Sequence, residues 1–148
     1  MSTCFFFDTS ALVKLYHEEA GTEELTALIE RENPLIAVSD IAAVEMVSAF
    51  AKKVRTAEID IPAFEEAIDA FQSDLSQFHV ITVESTIMTR ASDLLKTAGL
   101  KNALKTLDSL QLASALVFSE RSKLDLFIAA DGVLMKNAEE TGLKVMAA

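Results

Sequence analysis

Cysteine, glycine and proline are scarce in this sequence of 148 residues: one Cys, four Gly and two Pro. A single cysteine, Cys4, excludes an internal disulfide and any zinc site built from several thiolates. It falls in an apolar run and is expected to be a small buried hydrophobe. So little glycine and proline excludes collagen-like, fibrous and low-complexity chains. No apolar stretch approaches the roughly 20 residues a membrane-crossing helix needs. The run Cys4–Phe7 has no basic segment before it and is too short for a signal peptide, so a cytoplasmic location is expected. No glycine-rich phosphate loop is present. Neither His17 nor His79 stands near a Ser or Cys motif that would make a hydrolytic triad.

Positive charge is also in deficit. Thirteen Lys and Arg face 23 Asp and Glu, a formal charge of −10. The cations are scattered, with Lys52, Lys53 and Arg55 the nearest thing to a cluster, so no basic footprint for nucleic acid is visible.

What the chain does have is apolar material, 51% of its residues, enough for the core of one domain spanning residues 1–148. Short apolar runs at Cys4–Phe7, Leu35–Val38, His79–Val83, Leu126–Ala130 and Leu143–Met146 read as strands. Helical patterns lie between them. Two, Ser10–His17 and Thr22–Arg31, are broken at Gly21. One is capped by Ser39 or Asp40 and runs to about Val54, and another opens at Pro62 and runs to about Gln77. The rest start at Glu84 or Ser85 and stop at Gly99, start at a Thr106 cap and end near Ser119, and occupy Gly132–Thr141. Apolar strands alternating with helices predict an α/β fold, a parallel sheet with helices on both faces. Phe64, Phe71 and Phe78 recur every seven residues, the spacing of a core-facing stripe, with an interface as the alternative.

Most acids sit among polar neighbours, as in Glu18-Glu19 and Glu139-Glu140, and mark solvated helix faces. Four do not. Asp8 is the only charge from Met1 to Val13, Glu45 from Ile41 to Ala51, Asp108 from Thr106 to Ser119, and Asp131 from Leu126 to Met135. Burying an unpaired carboxylate is costly, so such placement asks for a reason. Glu84 is also alone, but it precedes a helix, where the helix dipole accounts for it. Asp8 and Asp131 each follow a strand and are expected at the carboxyl edge of the sheet, where α/β proteins bind ligands. Asp108 falls in the first turn of its helix, and Glu45 is flanked at helical spacing by Ala42 and Ala49, which would let its helix approach the sheet. Four carboxylates in one pocket without a Lys or Arg call for a hard cation, Mg²⁺ or Mn²⁺. Asp8 and Asp108 are the leading ligands, with Asp131 completing the shell and Glu45 orienting a water or holding a second ion. The hydroxyls of Thr9 and Ser10 either bond a carboxylate or phosphate, or cap the following helix. A haloacid-dehalogenase-type phosphatase would need an acid at position 10, which is Ser10. A phosphate-receiver domain would need an acidic pair that is absent.

These residues resemble a known family. Phe5-Phe6-Phe7-Asp8-Thr9-Ser10-Ala11-Leu12-Val13-Lys14 is similar to the opening of PIN domains, above all the VapC-type toxins of bacterial toxin–antitoxin pairs. Ser39–Phe50 around Glu45, Leu107-Asp108-Ser109-Leu110-Gln111-Leu112-Ala113, and Phe127–Leu134 around Asp131 resemble the second, third and fourth motifs in order. The resemblance implies a three-layer α/β/α sandwich with a mostly five-stranded parallel sheet. It implies metal-dependent endonucleolytic cleavage of RNA at Asp8, Glu45, Asp108 and Asp131, a homodimer, and a cognate antitoxin that occludes the site. Gly132 departs from the pattern, since many relatives carry a longer, often basic residue there. The competing reading is a non-catalytic dimeric interaction module on the same fold.

Overall fold

The computed structural model describes residues 2–148. Its centre is a five-stranded, wholly parallel sheet in the order β3-β2-β1-β4-β5. The strands are β1 (Cys4–Phe7), β2 (Leu35–Ser39), β3 (His79–Ile81), β4 (Leu126–Ala129) and β5 (Val145–Ala147). Phe6 stands opposite Ala37 of β2 and Phe127 of β4, and the Phe6 and Phe127 rings stack at 5.4 Å.

Period-two alternation explains why every residue of β1 is apolar: its two faces feed two separate cores. Cys4 and Phe6 join Phe127, Leu112 and Leu134 beneath α5 (Ser85–Asn102), α6 (Thr106–Arg121) and α7 (Gly132–Glu140). Phe5 and Phe7 join Leu12, Leu25, Met46 and Phe71 beneath α1 (Thr9–Tyr16), α2 (Thr22–Glu32), α3 (Ala42–Arg55) and α4 (Ile61–Asp74). The result is the expected α/β/α sandwich. Cys4 is a buried thiol, and Phe71 is buried with Phe64 and Phe78 packed beside it. Among the described residues no helix is long and apolar enough to cross a membrane.

Several boundaries differ from the sequence reading, each for a local reason. Neither Ser39 nor Asp40 caps α3. Ser39 completes β2, while Asp40 accepts a hydrogen bond from the Val83 amide and ties the ends of β2 and β3 together. The strand β3 ends at Ile81 rather than Val83. Asp60 caps α4, which gives way to a 3-10 turn at Leu75–Gln77. Gly99 does not stop α5. The helix runs through it to Asn102 and turns at Ala103, which takes a left-handed φ of 56°. Thr106 is the first residue of α6, and Lys105 holds the cap position. Ala42 is buried as expected, and α3 packs against α1 and α4, with Met46 and Phe50 in the same core as Phe5, Phe7 and Val38 of the sheet.

The chain winds outward from β1 to β2 and β3 on one side, and from β4 to β5 on the other. β1 and β4 therefore flank the point where the strand order reverses, and a crevice opens there beyond their carboxyl ends.

Candidate active site

Asp8 is the first residue beyond β1 and the N-cap of α1. Its amide donates to the Ile128 carbonyl of β4, and its carboxylate accepts from the Ala11 amide at 3.2 Å. Asp131 repeats the arrangement beyond β4, capping α7 by accepting from the Leu134 amide at 3.0 Å. Both acids thus satisfy orphan amides of a helix start. Asp108 lies in the first turn of α6 and Glu45 in the first turn of α3. All four line one cleft of about 620 Å³, together with Thr9, Ser10, Ile41, Val44, Leu107 and Gln111 among others.

Burial is graded across the set. Asp8 is 4% exposed, Glu45 and Asp108 are half-buried, and Asp131 is exposed at the mouth. The expectation of four buried acids holds for Asp8 alone in full. Asp131 reaches solvent on an exposed turn with Ala130 and Gly132.

No Lys or Arg lines the cleft, and among the described residues none of the four acids forms an ion pair. The electrostatic result is visible in Asp8, whose carboxyl is pushed up to about 7. Burial is the main cause; bonds from Ser10 and Ala11 oppose it, and the charge of Asp108 adds to it. Asp108 is also raised, first by burial, then by the charges of Asp131 and Glu45, with Lys105 partly offsetting them.

The hydroxyls beside Asp8 bond carboxylates and do not cap α1. Ser10 Oγ donates to the Asp8 carboxylate at 2.7 Å and accepts from the Ala130 amide at 2.9 Å, which links the ends of β1 and β4. Thr9 Oγ1 donates to Glu45 Oε1 at 2.9 Å. The Gln111 amide reaches both, donating to Glu45 Oε1 at 2.7 Å and lying 3.0 Å from Thr9 Oγ1. Sequence reasoning passed over Gln111, which appeared only inside a motif. The signal was present: a large polar side chain in an otherwise small or apolar buried run from Gln111 to Phe118, the same anomaly that singled out the acids. His17 packs on Phe50 and His79 near Phe118, and neither lines the cleft.

In kind, the donors suit a hard divalent cation: four carboxylate groups and no competing positive charge. In position they are not closed. Among the described residues no three acidic, cysteine or imidazole groups converge to hold an ion as they stand. Like charges without a counterion repel. Asp108 differs from the other three in that its carboxylate accepts no hydrogen bond among the described residues.

The family model of the PIN domain matches residues 5–140. The chain belongs to the PIN domain family. Solved structures repeat the fold. The Rickettsia felis VapBC2 structure, bound to a DNA fragment from its promoter, superposes with a TM-score of 0.64 at 15% identity, covering 99% of each chain. Mycobacterium tuberculosis VapC20, described as a sarcin–ricin-loop-cleaving toxin, gives 0.65 at 15% identity over 97% of this chain and 99% of its own. A toxin–antitoxin complex from Klebsiella pneumoniae gives 0.59 at 23% identity over 85% of each. At such identities the likeness is one of fold. No curated protein matches the chain.

Proposed function

We propose that this PIN-domain chain is a metal-dependent endoribonuclease, the toxin of a toxin–antitoxin pair, with Asp8, Glu45, Asp108 and Asp131 as its active site. The observation that carries the reading is the cleft itself: four acids from distant segments, none in an ion pair among the described residues, at the strand-order reversal of the sheet. Burial, with no cation beside it to oppose it, pushes the Asp8 carboxyl up to about 7, the kind of perturbation that gathers at functional sites.

Asp8, Asp108 and Asp131 would hold Mg²⁺ or Mn²⁺. When bound, such an ion acidifies a water and offsets the charge that builds on the phosphate oxygens. Ser10 fixes the Asp8 carboxylate, and the Leu134 amide fixes that of Asp131. Glu45 has Oε1 tied by Thr9 and Gln111, which leaves Oε2 to orient the attacking water or hold a second ion. In-line attack by water would leave a 5′-phosphate and a 3′-hydroxyl.

The antitoxin partner is supported by the VapBC assemblies among the structural neighbours. Exposed apolar side chains on the cleft, Val44 at 73% and Leu107 at 50%, offer such a partner a surface. A homodimer of single-domain chains completes the proposal.

Purified protein freed of any partner is expected to cleave RNA in Mg²⁺ or Mn²⁺ and not in EDTA. Asp8→Asn and Asp108→Asn are each expected to lower the rate on the order of 100-fold or more. Unchanged cleavage in both variants would remove the site assignment. Absence of metal-dependent cleavage in the wild type would favour the non-catalytic module.

A further inference from the structure

We infer that Gln111 is a positioning residue of this cleft, holding Glu45 by one carboxylate oxygen so that the other stays free. The inference rests on the nuclease reading above and concerns how that site is kept in order.

Gln111 is 1% exposed and lies one turn beyond Asp108 on α6. Its Nε2 donates to Glu45 Oε1 at 2.7 Å and sits 3.0 Å from Thr9 Oγ1, which itself donates to the same Glu45 oxygen at 2.9 Å. Glu45 Oε1 therefore accepts two hydrogen bonds, while Oε2 accepts none among the described residues. The three side chains come from α1, α3 and α6, so one knot ties together the elements that carry Asp8, Glu45 and Asp108. Charge decides the orientation of the amide. Reversed, its carbonyl would face a carboxylate.

The other end of the amide argues against a packing role. Gln111 Oε1 is buried and finds no donor among the described residues. An orphan buried acceptor is destabilising, and Met or Leu would fill the same space without it. The amide is kept at a cost to stability, and what it does in return is on its donor side, against Glu45.

Two variants test this in the full chain. Gln111→Met keeps the volume and removes the donor; Thr9→Val removes the second tie. Mn²⁺ affinity is read by electron paramagnetic resonance of the free ion without RNA, beside single-turnover cleavage. Each variant is expected to bind Mn²⁺ about tenfold more weakly and to lose single-turnover rate at saturating protein, with little change in the protein concentration that half-saturates the rate. The double variant is expected to lose less than the product of the single effects, because both act on one oxygen. Gln111→Met removes the orphan carbonyl together with the two bonds the amide donates, opposing changes that should leave its melting temperature close to wild type. A role in packing alone would move the melting temperature and leave Mn²⁺ affinity untouched. Mn²⁺ affinity and single-turnover rate both within about twofold of wild type in the folded variant overturn the inference. Should Gln111→Met not fold, the same threshold applied to Thr9→Val decides. A wild type that neither binds Mn²⁺ nor cuts RNA instead defeats the nuclease reading, and the two failures are separate.

Discussion

Asp8 has two duties that pull against each other. It caps α1, which favours folding, and it sits almost wholly buried without a cation, which opposes it. Its carboxyl stands at about 7 against an ordinary 3.8. Between those values the folded chain holds a proton that the unfolded chain has released. Metal-free stability therefore falls as pH rises from about 4 to about 7, and the penalty is complete above that, on the order of a few kcal/mol. Asparagine keeps the cap and removes the charge. Melting curves in EDTA should show Asp8→Asn gaining on wild type as pH rises through this window, ending several degrees above it near pH 8. A constant difference between the two across the window would mean Asp8 carries no buried charge. Asp131 separates the same two duties differently because it is exposed. Asp131→Ala should cost about 1 kcal/mol in urea unfolding through the lost cap, and Asp131→Asn only a few tenths, whereas both should weaken metal binding.

At the scale of elements, the strands and the general course of the helices were legible in the sequence, because both depend on apolar periodicity that the core then uses. Phe5 and Phe7 could be assigned to one face and Cys4 and Phe6 to the other from alternation alone. Helix ends were less legible, because they depend on backbone conformation and on long-range partners. Asp40 looked like a cap, yet its carboxylate bonds an amide 43 residues away. Gly99 looked like a stop, yet the left-handed turn falls on Ala103. An alanine with a φ of 56° is strained where glycine is not. Ala103→Gly is therefore expected to stabilise the protein by about 1 kcal/mol in urea unfolding, and a loss of stability would contradict the left-handed end of α5. The candidate site divides the same way. The four acids stood out as lone charges, while the Gln111–Thr9–Glu45 knot depends on α1, α3 and α6 meeting, which no single segment encodes.

For the whole molecule the telling quantity is a net charge of −10 on a proposed RNA-cleaving protein. The cleft has no cation in its lining, so RNA binding without metal should be weak and only slightly salt-dependent. Gly132, the first residue of α7 and next to Asp131, is open: a Cβ built there meets nothing within 4 Å. Gly132→Arg is expected to fit without rearrangement and to tighten RNA binding, steepening its dependence on log salt by about one unit. An unchanged salt slope would place the RNA elsewhere than at the mouth by Asp131. The sheet order carries the larger claim, since it brings residues 8, 45, 108 and 131 to one edge from across nearly the whole chain. The direct test is anomalous X-ray diffraction from crystals of the wild type and of Asp8→Asn/Asp108→Asn grown with Mn²⁺. A Mn²⁺ peak in the wild-type cleft within ligand distance of Asp8 and Asp108, absent from the double variant, is the predicted result. A cleft without Mn²⁺, or one in which each carboxylate is neutralised by its own Lys or Arg, would contradict it.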